Sequence, residues 1–529
     1  MRFLLINPLC PISENPSPSL GLAFLAGALE GAGIETRVVD FTVFPYSKMM
    51  LESVLEDFQP DLVGVTSVTM TYNHAAQIIQ DVKAIDNHIV TVMGGPHVTF
   101  WAEEALNSLP ELDMVVIGEG EQTAIDLAHE AGKGGDWSRV KGIVYRQGSQ
   151  FHTTGKREQI IDLDSLPVPA RQLFPLGRYL ALGMPITMTT SRGCPFQCIF
   201  CVGRKMVGAR VRYRNPEKVV DELAYLHGLG FQQINIVDDL FTASRDHCLA
   251  VCQEIRKRNL EIKWTSFSRV DTISRELLFE MKKAGCYAVS FGVETGNPEI
   301  LKTIKKKITI EKVVEAAGLC REAGMDVHFT FILGLPGETP ETLKQTVAFT
   351  EKLNGIVGSC GFHLLAPFPG TEIREKSEKL GISILSQDWS DYHANRAIVE
   401  TPTVSKAMLD GFAVAWEKEL LDQLGHLKER RESGQATEKE AWDLTKLEHI
   451  TVIHNLMMSG AIEEKGFWIN GGSLNDEESL NELVDRVWGF SNSEKEQVHK
   501  TLIYAFGKGS LVRSDQEGLT RWKWRDYLK

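Results

Sequence analysis

SRGCPFQCIFC, residues 191–201, places three of the chain's nine cysteines within eight positions: Cys194, Cys198 and Cys201, spaced C-x3-C-x2-C. The segment follows ITMTTS, a short β-branched run that reads as a strand, so the thiols stand on the loop at that strand's end. Downstream the alternation continues through the strand candidates INIVDDL, KWTSFSRV, AVSFGVE, VHFTFILG and GFHLLAP. Each is parted from the next by a helical stretch such as PEKVVDELAYLHGLG. Six βα units in a row predict a partial (β/α)6 barrel of the TIM type over residues 184–402. Such barrels do their chemistry at the C-terminal ends of the strands. Asp238, Asp239, Arg269, Glu294 and Glu338 stand at those ends and are expected to face one cavity.

Upstream, residues 1–140 alternate short apolar runs (FLLINP, TRVVDF, LVGVTSV, IVTVMGG, MVVIGEGE) with helical stretches such as SLGLAFLAGALEGAG. That pattern predicts a parallel, doubly wound, Rossmann-like sheet, and the whole chain an α/β protein. MRFLLINP reads as its first strand and not as a signal peptide, because the apolar stretch is short and breaks at Asn7 and Pro8. Residues 141–183 hold a hairpin, GIVYRQGSQFHTT, and a proline-punctuated linker, DLDSLPVPARQLFP. Residues 403–529 read as a mainly helical domain ending in a hairpin, LVRSDQEGLTRWKWR. Its WKW at 522–524 is expected to dock that hairpin on the tail domain in preference to stacking on nucleic acid.

Composition narrows the function classes. A chain of 529 residues implies two to four domains. With 43% apolar and 24% charged residues it is typical of soluble proteins. No apolar run approaches the roughly 20 residues that span a bilayer. A net charge of −13 argues against a nucleic-acid scaffold, which needs basic surface. An odd number of cysteines without disulfide-like spacing points to the reducing cytoplasm.

The three clustered thiols supply three metal ligands. A structural zinc site wants four, and no second C-x2-C or nearby Cys/His pair completes one. A [4Fe-4S] cluster held by three cysteines leaves one iron open to a small molecule. Packing thiols that happen to cluster would be the alternative, but they seldom crowd a polar, glycine-containing loop at ligand spacing. Cys10, Cys248, Cys252, Cys286, Cys320 and Cys360 show no second cluster spacing. Cys248 and Cys252, four apart on a helix, read as packing residues.

The segment CPFQCIFC at a barrel mouth resembles the radical S-adenosylmethionine (SAM) superfamily. The resemblance runs on through VRYRNPEKVVDEL, INIVDDLFT, SFGVETGNPEILKTIKKK, FILGLPGET and APFPGT, covering residues 184 to about 375. It implies that Cys194, Cys198 and Cys201 bind a [4Fe-4S] cluster whose open iron takes the amino and carboxylate groups of SAM. One electron then cleaves SAM to a 5′-deoxyadenosyl radical, which removes a hydrogen atom from substrate. By the same resemblance Phe200 packs near the adenine, while Ser268, Arg269 and Glu294 lie on strand ends that hold the SAM ribose, carboxylate and amino groups. These residue types suit such partners, since an ammonium wants carboxylates and a carboxylate wants a guanidinium. Glu294 could alternatively be a carboxylate of the barrel rim. Asp238 and Asp239 stand where many members carry a glycine-rich GGE turn. Gly334 and Gly337 fit a simple turn, and Lys305, Lys306 and Lys307 a solvated helix end.

The N-terminal part is similar to the cobalamin-binding domain that precedes the barrel in one radical SAM subgroup, through SPSLGLAFLAGALEGAGIETRVVD, DLVGVTSVTMTYNHA, VMGGPHVTF and VVIGEGEQT. Open α/β sheets bind ligands at their C-terminal edge, as such domains bind the corrin. Ser67, Thr69, Gly94 and Gly95 match its S-x-L and GG elements, with Thr69 in place of leucine. The D-x-H-x-x-G lower-ligand motif is missing and the first histidine is His74, so the resemblance implies cobalamin bound without a histidine ligand. A flavodoxin-like domain that has lost its corrin is the other reading. His97 either contacts the corrin or caps a loop. His363, on the last barrel strand, points to cavity or core.

Together these features imply a cytoplasmic enzyme using a [4Fe-4S] cluster, SAM and cobalamin to methylate an unactivated carbon of a small-molecule or lipid-like substrate. It would be supplied by a low-potential electron donor such as a ferredoxin or flavodoxin. A corrin-assisted oxidative cyclase or rearrangement enzyme is the alternative within enzymes. A non-catalytic corrin or cluster sensor is the alternative outside them, although a sensor needs no SAM pocket.

Overall fold

The computed structural model describes residues 1–10, 16–469, 475–516 and 518–528. Its first sheet holds β1 (Arg2–Asn7), β2 (Glu35–Asp40), β3 (Leu62–Thr66), β4 (Val90–Gly94), β5 (Met114–Val116), β6 (Ile143–Gln147) and β7 (Gln150–Thr153) in the order β2-β1-β3-β4-β5-β6-β7. The first five are parallel and buried on both faces, which is why they read as unbroken apolar runs. Helices such as Leu20–Gly31, capped by Ser19, cover them. The chain order reverses between β1 and β3, so ligands are expected at the C-terminal edge beside that point. The hairpin β6–β7 pairs antiparallel to β5 and so widens the first sheet, where the sequence had suggested a separate segment.

The second sheet begins with β8 (Ile186–Met188). A small ladder of β9 (Ser191–Arg192) and β10 (Arg212–Tyr213) flanks the cysteine loop. Then come β11 (Gln233–Ile236), β12 (Lys263–Ser268), β13 (Cys286–Glu294), β14 (Asp326–Leu333) and β15 (Ser359–Leu364). Six strands, β8-β11-β12-β13-β14-β15, pair in parallel and in chain order, the partial barrel foreseen. Their outer faces (Ile234, Trp264, Phe291, Phe329) are buried under the connecting helices. The inner faces carry Asn235, Thr265, Ser290, His328 and Thr330, all partly exposed. Phe362 turns outward onto Phe412 and Trp416 of the helix Lys406–Glu432. His363 therefore lies on the inner face and is exposed, the cavity alternative for this residue.

The tail is helical apart from a three-stranded antiparallel sheet in which Trp522 and Trp524 are buried, so WKW is a packing element. Cys248 and Cys252 are likewise buried under the barrel sheet. The linker helix Leu176–Ala181 fastens the N-terminal domain to the tail through Arg178, which is almost fully buried. Its Nη1 donates to the Val43 carbonyl at 3.0 Å, its Nε to Asp526 at 2.7 Å, and its Nη2 to Glu463. No helix among the described residues is long and apolar enough to cross a membrane.

Candidate active site

The cysteine loop leaves β9 and enters the short helix Gly203–Val207. Its backbone is pinned at both ends. Cys194 N–H donates to the Gly208 carbonyl at 3.1 Å, and Ile199 N–H to the Ile304 carbonyl at 3.2 Å. The Gly203 N–H points at Cys201 Sγ at 3.3 Å, the kind of hydrogen bond that tunes a cluster sulfur. Burial pushes the Cys194 and Cys201 thiols up, so a bound cation is what would hold them as thiolates. Among the described residues no three His, Cys, Asp or Glu side chains stand close enough to share one metal ion. A cluster places each thiolate on a different iron and so wants them apart.

The strand-end residues divide. Asp238 is buried and braces the strand before the loop, accepting from Thr190 N and Oγ1 at 2.6 Å each and from Ser191 Oγ at 2.7 Å. Burial pushes its carboxyl up. Asp239 is the one that faces the cavity, and it also accepts from Gly193 N–H at 3.0 Å. Glu338 does not reach the cavity. It is fully buried and closes the GLPGE turn on the N–H groups of Gly334 (2.7 Å) and Leu335 (3.0 Å). Burial raises its pKa to about 8.

Ser268, Arg269 and Glu294 are all buried at the ends of β12 and β13. Ser268 Oγ is buried with no hydrogen-bond partner, but the alternation along β12 puts it on the outer face with Trp264, away from the barrel mouth where the resemblance had placed it. Arg269 is held in a fork by Asp271 at 2.9 Å twice, and its guanidinium lies 3.6 Å from the centre of the Phe196 ring, inside the cysteine loop. Glu294 is no rim carboxylate. Its Oε1 meets Lys306 Nζ at 2.6 Å, with both side chains more than nine-tenths buried. Lys306 thus departs from the solvated reading, which holds for its neighbour Lys305, exposed and paired with Glu372. Phe200 is partly buried, with Lys306 Nζ 5.7 Å from its ring centre.

Between the C-terminal edge of the first sheet and the cysteine loop lies a cavity of about 510 Å³. It is lined by Leu20, Gly94, Gly95, Gly118, Met206 and Asp239 among others, mostly apolar groups. Gly95 has φ +107°, and a Cβ there would sit 2.5 Å from the Ser67 carbonyl oxygen, so only glycine fits. Gly94 and Gly95 thus form a bare wall that a large planar group could approach. Ser67 and Thr69 are buried behind that wall and do not line the cavity. Thr69 Oγ1 lies 3.3 Å from His97 Nδ1. His97 is buried between Tyr72 and Trp389, and burial, helped by the Arg374 charge, lowers its pKa to about 3.

Two ion-pair sets close the cavity's flank. Glu119 takes Arg212 at 2.8 Å and Arg192 at 3.2 Å, and Glu121 takes Arg192 at 2.6 Å. Burial alone would push the Glu119 carboxyl up, but the two arginines outweigh it and hold it below the usual carboxylate range. Sequence reading missed Glu119 and Phe196, and took Lys306 for part of a solvated helix end. The GEGE run was visible, but not that it reaches β9 and β10.

A family model described as the radical SAM superfamily matches residues 188–350, and one described as the B12 binding domain matches residues 12–128. An uncharacterized methyltransferase, PH0819 of Pyrococcus horikoshii, is 32% identical over 74% of this chain and 86% of its own. The anaerobic magnesium-protoporphyrin IX monomethyl ester cyclase of Rubrivivax gelatinosus is 30% identical over 77% of this chain and 75% of its own. The solved structure of the cobalamin-dependent S-adenosylmethionine radical enzyme OxsB, with aqua-cobalamin and S-adenosylmethionine bound, shares the fold. Its TM-score is 0.68 at 18% identity, covering 96% of this chain and 84% of the other.

Proposed function

The chain belongs to the radical SAM superfamily, in the branch that carries a B12-binding domain, and on that premise we propose that it methylates an unactivated carbon of a small-molecule substrate. The observation that carries this reading is the cavity itself, walled on one side by Gly94 and Gly95 and on the other by the cysteine loop's neighbours Met206 and Asp239. A corrin seated against the first wall would look directly into the barrel mouth.

When bound, the cluster, SAM and cobalamin supply the one-electron and methyl-transfer chemistry. The chain's own residues bind and orient. Cys194, Cys198 and Cys201 would hold the cluster, with the Gly203 N–H on the Cys201 sulfur. Glu294 and Arg269, both buried, would present one negative and one positive group to SAM. The mostly apolar lining, once covered by bound cofactors, would disfavour water that could quench a reactive species. The polar inner face, where Thr265 Oγ1 donates to Asn235 Oδ1 at 2.8 Å, suits a substrate with hydrogen-bonding groups better than a lipid-like one. A low-potential electron donor of the ferredoxin or flavodoxin kind completes the scheme.

The cyclase at 30% identity favours oxidative cyclisation as a second reading. One experiment separates the two. Protein reconstituted anaerobically with iron, sulfide, cobalamin and SAM, then reduced, should yield both 5′-deoxyadenosine and S-adenosylhomocysteine by mass analysis. The first marks radical cleavage of SAM and the second its use as methyl donor. 5′-Deoxyadenosine formed with substrate, but never S-adenosylhomocysteine, would exclude methylation in favour of cyclisation.

A further inference from the structure

Three consecutive lysines end the segment that follows β13, and their backbone is unusual. Lys305 (φ +56°) and Lys307 (φ +58°) are left-handed, and so is Glu294 (φ +74°), which sits where the β13–β14 register shifts. These are three of the seven non-glycine residues with such backbone among those described. Left-handed backbone is disfavoured at lysine and glutamate, so the surrounding structure must impose it. What the strain achieves is to turn Lys306 inward between two outward neighbours, onto Glu294. The Glu294 carboxylate folds back over its own strand, where a Cβ on Gly292 would meet its Oε1 at 2.4 Å. The hydrogen bond fixing that oxygen comes from Lys306.

Lys306 reaches the cysteine loop as well. Its carbonyl accepts from Arg269 Nη2 at 2.7 Å, and Arg269 stacks on Phe196. Its ammonium faces Phe200, and the Ile304 carbonyl two residues earlier holds Ile199 N–H. Both aromatic residues that flank Cys198 thus rest on cations tied to this one turn. A lysine recruited only to fill space would leave a costly buried charge, whereas here the charge is spent on a single carboxylate.

We propose that Lys306 is a positioning residue of the SAM site: it fixes the Glu294 carboxylate and, through Arg269, Phe196 and Phe200, holds that carboxylate in register with the cluster loop. The proposal rests on the reading above of Glu294 and Arg269 as SAM-binding groups. Its test uses the full chain, reconstituted anaerobically with its cluster. Iron content and the thermal unfolding midpoint report on integrity. Equilibrium dialysis of SAM, and the change SAM causes in the electron paramagnetic resonance spectrum of the reduced cluster, report on position.

Lys306→Met should keep its four irons, bind SAM about tenfold or more weakly and lose the spectral change at SAM concentrations that saturate the wild type. Lys306→Arg should recover part of both. Because Lys306 acts through Glu294, the double variant Lys306→Met/Glu294→Gln should lose no more SAM affinity than Glu294→Gln alone. That comparison also carries the test if Lys306→Met alone fails to fold, since the double variant leaves no unpaired buried charge. Wild-type affinity in Lys306→Met, or a further loss in the double variant beyond Glu294→Gln, would overturn the proposal. A wild type that takes up its cluster but no SAM would instead overturn the SAM-site reading, and this proposal with it.

Discussion

Cys198 sits between Phe196 and Phe200 on a loop whose only evident purpose is to present sulfur, so removing that one sulfur should matter more than any packing change nearby. Cys198→Ala is expected to abolish the cluster in anaerobically purified protein. Iron analysis is the check, and four irons per chain surviving in the variant would sink the assignment. The thiols were legible because ligand spacing is local and survives any error about the fold. Adjacent residues of identical chemistry were not. Asp238 and Asp239 differ only in which way one peptide unit turns, yet one is a buried brace and the other lines the cavity. Lys306 was hidden for a related reason. Its burial depends on left-handed backbone at both neighbours, and no lysine run announces that. Glu338 stood at a strand end like the others but is consumed by its own turn.

Among elements, the strands of both sheets were readable from apolar runs and turn residues, while pairings at sheet edges were not. β6 and β7 join β5 through backbone groups that any sequence supplies, so the hairpin's membership of the first sheet lies in geometry. The loop Gly118–Glu121 shows the same limit, with Glu119 finding its partners on β9 and β10, 73 and 93 residues away. Its carboxyl is held below the usual range, so its contribution to stability is full above the unfolded-state value of about 4.3 and disappears as pH falls through the folded value. Glu119→Gln should therefore lower unfolding free energy at pH 7 by roughly 3 kcal/mol, because the buried Arg212 loses its counter-ion while Arg192 keeps Glu121. The difference should shrink steadily below about pH 4. Denaturant titrations at several pH values would measure it, and a gap unchanged down to pH 3.5 would refute the assignment.

For the whole molecule, joining the two halves matters more than either alone. Among the described residues no histidine lines the cavity, and His97 is held in a buried stack with Tyr72 and Trp389. Bound cobalamin, reduced to its paramagnetic state, is accordingly expected to show no nitrogen splitting from a protein imidazole. Protein labelled with 15N-histidine should give an unchanged electron paramagnetic resonance spectrum, and an altered splitting would mean a histidine ligand. Arg178, the linker cation that ties the first sheet to the tail, carries a different implication, one about time. Its partner Asp526 lies 348 residues further along, so a ribosome working at roughly 5–20 residues per second makes the guanidinium wait about 20–70 s for that carboxylate. Glu463 comes earlier, 285 residues on, and before the tail supplies these two carboxylates the junction cannot dry out without stranding a bare charge. The first domain and the linker must stay loosely docked until Glu463 and Asp526 of the tail arrive to latch them.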